Sequence, residues 1–420
     1  MNRVAVTGIG AITPVGKDVE STWDALKSGR SGVGQITTFD ASTYPVRIAG
    51  MVNDFHDSDL PDPKLARYLS RGGKFGLYAG AQALEDAGLA DAPYDPREKG
   101  ISMGSSVGRP ELQELSDVLY TRQASDDHEL KRRSPLEIMT TSQNVAPGAL
   151  AQIGDLRGPM MGISTACTAS AHAIGEATRR IQEGEAKMML AGGADALTTW
   201  LDVLGFTLLG ALTKDYNDDP EHGSRPFDRD RTGFVLGEGA VMMVLEDMEE
   251  ARKRGAKIYG EVAGYGSSLN AYRMTDPPPD GSGPDIAMNA ALRESGLSTE
   301  DVDHVVAHGT GTPGGDVSET IAIKRVFGDH AKKLAVNSNK SMTGHTTCAA
   351  GALSLLTALM AMRDGVIAPT INLDNPDPEL DLDYVPNEPR EAKVNAAMIN
   401  AFAFGGTNAV LVARRAENGS

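Results

Sequence analysis

The sequence predicts an α/β protein built from two similar halves, and three observations carry that prediction. Strand-like and helix-like runs alternate along the chain, as they do in α/β folds. The strands are continuous apolar runs: Val4-Ala5-Val6, Ile101-Ser102-Met103, Met188-Met189-Leu190, Val241-Met242-Met243-Val244, Val305-Val306-Ala307 and Leu334-Ala335-Val336. Such runs suit a sheet buried on both faces. Finally, a segment of the first half recurs in the second. Ala83-Leu84-Glu85-Asp86-Ala87-Gly88-Leu89 precedes the strand at Ile101, and Ala291-Leu292-Arg293-Glu294-Ser295-Gly296-Leu297 precedes the strand at Val305. In both, a helix stops at a glycine and an apolar strand with a Gly-rich exit follows.

Taken in order, Arg3 to Gly8 form the first strand, and no signal peptide is expected ahead of it. Pro159 to Ile163 is a further strand. It leads into a turn with Cys167 and a helix of small residues that runs to Gly184. The halves join near residues 250–260, which divides the chain into 1–255 and 256–420. In the second half the matching strand, turn and small-residue helix run from Leu334 to Gly365 and carry Lys340 and His345. The Cys167 turn and the Lys340/His345 turn are therefore expected to be pseudo-symmetric and to face one central pocket. Cys348 to Met362 is too short and too rich in small residues to cross a membrane, so it is read as a buried helix. Asp276 to Pro284 is a breaker-rich loop that either gates a site or forms a rigid surface connection.

The 420 residues carry 40 Lys and Arg against 57 Asp and Glu, a net charge of −17. That field excludes nucleic acid and anionic membrane as main partners. A local basic patch for an acidic protein is expected among Arg67, Arg71, Lys74 or Lys131-Arg132-Arg133. The two cysteines, Cys167 and Cys348, do not suggest a disulfide framework, and the chain is expected in the cytoplasm.

Four segments carry the chemistry. Ser164-Thr165-Ala166-Cys167 places a thiol at a strand-to-helix junction, where unpaired N–H groups and partial positive charge favour a thiolate and can hold an oxyanion. His308-Gly309-Thr310-Gly311-Thr312, Asn339-Lys340-Ser341-Met342-Thr343-Gly344-His345 and Phe402-Ala403-Phe404-Gly405-Gly406-Thr407-Asn408 each follow a strand, where α/β folds build their sites. One strand-end histidine is as readily a structural residue; two beside a helix-capping cysteine point to catalysis. Lys340 reads as a buried charge, which needs carboxylates, and Asp316 and Glu319 are the nearest by motif. Cys348 reads as a buried hydrophobe.

Two rival chemistries are visible. Gly104-Ser105-Ser106-Val107-Gly108 matches the nucleophile pattern of serine hydrolases, with Ser106 as nucleophile, but Arg109-Pro110 follow at once and no acid–histidine tail is evident. His304 and His308 are four apart, yet they lie on a strand and no third metal ligand is apparent.

The four segments together resemble the elongating β-ketoacyl-acyl carrier protein synthases: the condensing enzymes of type II fatty-acid synthesis and the catalytic ketosynthases of type II polyketide synthases. The likeness runs from Val4 to about Val412, and Gly237-Glu238-Gly239 after Arg225-Pro226-Phe227-Asp228 also fits it. The resemblance implies the thiolase fold, two α/β halves in a five-layered αβαβα sandwich. It implies a decarboxylative Claisen condensation, in which an acyl chain on Cys167 is joined to malonyl on a carrier protein and grows by two carbons. It also implies an oxyanion hole from the N–H groups of Cys167 and Phe404, with Phe404 as a mobile gate. His308 and His345 would lie at the malonyl thioester, Thr310 and Thr312 would contact malonyl, and Phe234 would lie near the thiol. Lys340, Asp316 and Glu319 would hold the charge network. No cofactor or metal is implied, since phosphopantetheine belongs to the acyl carrier protein. The implied partners are that carrier protein and either a second copy or a chain-length-factor-like subunit. A chain-length factor lacks the cysteine, so Cys167 puts this chain on the catalytic side. The Cys–His–His set favours elongation over degradative thiolases and initiating enzymes.

Several positions depart from the usual fatty-acid pattern: Asn270 and Arg273 in a loop that moves with the Phe404 gate in the family, Asn339 before Lys340, Ala403 before Phe404, and Arg109-Pro110 near the pocket. These spare the catalytic residues and lean mildly towards a specialised polyketide or polyene pathway, with housekeeping fatty-acid elongation as the alternative. Arg109 is expected to shape the pocket or a subunit contact.

Overall fold

A computed structural model describes residues 1–89, 94–106 and 136–416. Arg109-Pro110, Lys131–Arg133 and the end of the Gly104–Gly108 motif lie outside the described residues. The main sheet has ten strands. These are β1 (Val4–Ile12), β2 (Lys99–Ser105), β3 (Met160–Ile163), β4 (Met188–Asp195), β5 (Gly239–Asp247), β6 (Gly260–Leu269), β7 (His304–Val306), β8 (Ala335–Asn337), β9 (Ala396–Phe402) and β10 (Thr407–Arg414). Their order is β8-β7-β9-β10-β6-β1-β5-β4-β2-β3.

This order is the duplication made visible. In the first half β2 runs parallel to β3 and β4, and β5 runs antiparallel to β4 and β1. In the second, β7 runs parallel to β8 and β9, and β10 runs antiparallel to β9 and β6. Each strand thus has a mate in the other half, with the same neighbours and directions. Among the described residues the half-sheets pair through β1 and β6, at Ala5 with Glu261 and Val6 with Gly260.

The helices complete five layers. Helix α1 (Arg71–Asp86) covers the outer face of the first half-sheet. Helix α2 (Ala169–Gln182) and, from the second half, α5 (Ala350–Asp364) lie between the half-sheets and touch strands of both. Helix α3 (Pro284–Ser295), with α4 (Pro313–Phe327) beside it, covers the far face. Both predicted glycine stops hold: α1 ends just before Gly88, and Gly296 caps α3 in the left-handed conformation.

The central layer explains the small residues. Every residue of α5 from Ala350 to Met362 is buried, the signature of a helix enclosed on all sides. A Cβ on Gly351 would meet the Ala171 Cβ at 2.8 Å, so α5 and α2 cross with their backbones close. The amide of Ala352 donates to Ser170 Oγ across this crossing at 3.0 Å. No helix among the described residues is long and apolar enough to cross a membrane.

The pseudo-symmetry corrects one expectation. One-turn 3-10 segments, Ala166–Thr168 and Thr347–Ala349, precede α2 and α5. Ala166 and Thr347 both have left-handed backbones, φ +50° and +46°. The mate of the Cys167 turn is therefore the Cys348 turn. Lys340 and His345 belong to the loop before it, where Lys340–Thr343 make a short helix of their own.

Candidate active site

Three strand exits and one helix start converge on an open cleft of about 670 Å³ lined by Cys167, Phe234, His308, Thr310, Thr312, His345 and Phe404. Cys167 is 9 % exposed at the turn between β3 and α2. Burial pushes its thiol up to about 12, with the charge of Asp195 adding to the shift. Lys340 and the backbone N–H groups of Cys167 and Phe404 pull the other way. The sequence expectation of an easily ionised thiol is thus reversed, because desolvation outweighs the helix start. The two amides nonetheless act on the sulfur together, as an oxyanion hole requires.

The histidines face each other. The His308 and His345 rings are 5.3 Å apart edge-to-face, and Phe234 packs edge-on against His345 at 5.4 Å. Burial, and then the charge of Lys340, hold both imidazoles well below their ordinary value. Both rings are therefore neutral at pH 7, each with one N–H to donate.

Their backbones are pinned. Glu319, on α4, accepts from the amides of His308 and Gly309 at 2.8 Å each and from Asn400 Nδ2 at 2.9 Å. Asp316 accepts from the amides of Phe227 at 2.8 Å and Gly311 at 3.2 Å, and Arg231 stands 3.6 Å away. Burial raises both carboxyls, Asp316 to about 7. The two acids predicted beside Lys340 thus hold the His308–Gly311 loop through its backbone and reach the lysine through charge. Lys340 is itself buried, which lowers it to about 8. The His345 amide donates to Val235 O at 2.7 Å, and its carbonyl accepts from Gly237 N at 2.9 Å. Gly344 makes this approach possible: its φ is +66°, and a Cβ there would meet Leu236 O at 2.8 Å.

Thr310 and Thr312 share a hydroxyl contact at 3.1 Å on the cleft wall. Phe404 stacks on Phe206, 6.4 Å between centroids, and Phe206 packs edge-on against Phe234. The Phe404 loop is tied to the Asn270 loop. Gly405 N donates to Met274 O at 2.7 Å, Asn270 N to Gly406 O at 2.8 Å, and Asn408 Nδ2 to Asn270 Oδ1 at 2.7 Å. Asp276, Pro277 and Pro284 from the breaker-rich loop line the same cleft. Arg273 is exposed, 3.4 Å from Asp276, and Asn339 Nδ2 donates to Thr357 Oγ1 in the core.

Other expectations fall elsewhere. Arg71 is no free cation: it grips the buried carboxylate of Glu238, at 2.9 Å through Nε and 2.6 Å through Nη2. Lys74 pairs with Asp57 at 2.7 Å. These two therefore do not form the expected basic patch, because buried Glu238 and neighbouring Asp57 already neutralise them. Ser106 donates to buried Asp195 at 2.5 Å, and no described histidine bonds it. His304 is buried, with Nε2 2.8 Å from Asn337 Oδ1, and no metal-holding group of His, Cys, Asp or Glu occurs among the described residues. Sequence reasoning passed over His172, four residues after Thr168 and so on the same helix face. It also passed over Phe206, hidden in an apolar run.

Residues 1–251 match the family described as Beta-ketoacyl synthase, N-terminal domain, and residues 259–374 match Beta-ketoacyl synthase, C-terminal domain. The chain is 45% identical over 414 residues to the 3-oxoacyl-[acyl-carrier-protein] synthase 2 of Coxiella burnetii, covering 98% of each. Among solved structures, a type II PKS ketosynthase in complex with its acyl-carrier protein matches at TM-score 0.89 and 31% identity, over 99% of this chain and 100% of that one. The ishigamide ketosynthase/chain length factor matches at 0.88 and 34%, with the same coverage.

Proposed function

Since this chain belongs to the β-ketoacyl synthase family and is an acyl-transferring condensing enzyme, we propose that it carries out decarboxylative chain elongation with Cys167 as acyl carrier. The observation that carries this reading is the convergence of the buried thiol, two neutral facing histidines and two backbone donors on one cleft.

In the first half-reaction Cys167 Sγ attacks the carbonyl of an acyl thioester held on the phosphopantetheine of an acyl carrier protein. The neutral imidazoles in the cleft are the bases available for the thiol proton. Charge that develops on the carbonyl oxygen is met by the N–H groups of Cys167 and Phe404. The carrier thiol leaves and acyl-Cys167 remains. Malonyl on a second carrier then enters, with Thr310 and Thr312 towards its carboxylate. Cleavage of the carboxyl bond releases carbon dioxide and leaves its electron pair as an enolate. Neutral His308 and His345 each offer one N–H to the enolate oxygen, and Lys340 adds a fixed positive charge. The enolate carbon attacks the acyl carbonyl, the Cys167–acyl bond breaks, and the released thiolate takes up a proton from solvent. The product is a β-ketoacyl carrier two carbons longer. Phe404, linked to the Asn270 loop, would exclude water between the half-reactions.

The enzyme would need no cofactor of its own and would act in the cytoplasm. Its partners would be an acyl carrier protein and a second subunit, a copy of itself or a chain-length-factor-like chain. The greater identity to the 3-oxoacyl carrier synthases, 45% against 31% and 34%, favours fatty-acid elongation. Asn270, Arg273 and Ala403 around the gate, and Asn339 before Lys340, keep a type II polyketide pathway as the second reading.

The test is intact-protein mass spectrometry with a panel of acyl carriers followed by malonyl carrier. An acyl adduct on Cys167 and a two-carbon-longer β-ketoacyl carrier are expected, and the preferred chain separates the pathways. No adduct even with a dedicated carrier and partner subunit would overturn the function.

A further inference from the structure

Ala166 holds a left-handed backbone, φ +50°, directly before the nucleophile. A non-glycine residue there is strained and persists only where its surroundings impose it. Two nearby threonines, Thr165 and Thr168, are clamped around it. Thr168 Oγ1 donates to Thr165 O at 2.6 Å, and the Thr168 amide donates to the same oxygen at 3.3 Å. Thr407 Oγ1, next to the Phe404 loop, lies 3.2 Å from Thr168 Oγ1. His172, one turn into α2, completes the clamp. Its Nδ1 is 3.0 Å from Thr165 Oγ1 and 3.2 Å from Thr168 O, and its Nε2 is 3.0 Å from Ser267 Oγ on β6. The ring packs edge-on to Tyr265, 6.1 Å between centroids. The contacts to Thr165 and Ser267 survive in either neutral tautomer, because those hydroxyls donate or accept, while the Thr168 carbonyl accepts only from a protonated Nδ1.

We propose that His172 is a positioning residue for acyl transfer: by tying Thr165 to α2 and to the second half of the molecule, it holds Ala166 left-handed and so aims the Cys167 amide at the oxyanion. It touches neither substrate nor the reacting atoms. The inference rests on Cys167 as nucleophile. It predicts a split between two reactions of one sulfur. Transfer from a thioester needs the oxyanion hole, whereas alkylation by iodoacetamide does not.

The experiment measures both rates on the full chain. Wild type is the control, because failure to acylate Cys167 there would sink the nucleophile reading itself. His172→Ala should acylate at least about tenfold more slowly, one lost orienting interaction, with alkylation within about twofold of wild type. Adding Ala166→Gly, which adopts the left-handed backbone without strain, should restore most of the acylation rate. If the alanine variant does not fold, His172→Asn, which keeps a polar group near Thr165 but is too short to reach Ser267, replaces it with the same rescue. Acylation at the wild-type rate in the folded variant, parallel loss of acylation and alkylation, or no rescue by Ala166→Gly would each overturn the proposal.

Discussion

At the scale of single residues, burial decides the chemistry more than local sequence does. The Cys167 thiol, pushed up to about 12 by burial, is protonated at neutral pH, so the free enzyme's alkylation rate should rise with pH beyond about pH 9 without a plateau. A plateau near pH 7 would show that Lys340 and the two amides outweigh desolvation. The histidines give a second prediction. Burial comes first, but Lys340 also drives the His308 and His345 values down. Removing a positive charge favours imidazolium, so Lys340→Met should move the acid limb of the pH–rate profile to higher pH. The variant should lose activity in acid that wild type retains, and an unmoved acid limb would free Lys340 of that role. That Cys167, His308, Lys340 and His345 come together was legible because each sits in a polar motif at a strand exit. The sign of the thiol's shift was not, because desolvation depends on what the rest of the chain packs over it.

At the scale of elements, the half-repeat was legible and its detailed alignment was not. The glycine stops at Gly88 and Gly296 marked equivalent helices. The Cys167–Cys348 equivalence rests on backbone angles at Ala166 and Thr347, which no residue type announces. In the second turn the Cys348 amide donates to Asp195 at 3.2 Å, so a carboxylate fills the place that an oxyanion would take in the first. Arg71 was misread for a related reason: its partner Glu238 lies far along the chain, and only folding brings α1 to it. One element is left incomplete. Among the described residues strand β3 ends the sheet, paired with β2 alone, and Met160 on it is 45% exposed. An open edge is a template for another strand, and a lysine is the usual way to block it. If the second subunit docks there, Met160→Lys should convert the dimer to a monomer in sedimentation velocity. An intact dimer would place the interface elsewhere.

At the scale of the whole molecule, two half-sheets must behave as one, because the cleft draws its thiol from the first half and its histidines from the second. Their seam is short, and its centre is a single carboxylate. Glu261 on β6 is 2 % exposed and lies opposite Ala5 of β1. Arg3 from the first half grips it at 2.5 Å, and Arg414 from the second grips it at 2.8 Å. Burial alone would raise the Glu261 carboxyl, but the two guanidinium groups outweigh it and hold it below its ordinary 4.5. The folded value is depressed, so its stabilisation is present above about pH 4.5 and disappears as pH falls through the folded value. Glu261→Gln leaves two arginines facing each other across the seam. Both are about one-third exposed, so solvent screens the loss to roughly 2 kcal/mol, below that of a fully buried pair. Denaturant unfolding at pH 7 should show that loss, and the gap from wild type should close as pH drops below about 4.5. A gap that persists in acid would mean that the glutamine disrupts packing rather than charge. No gap at pH 7 would mean that the β1–β6 pairing and the crossing of α2 with α5 hold the halves without it.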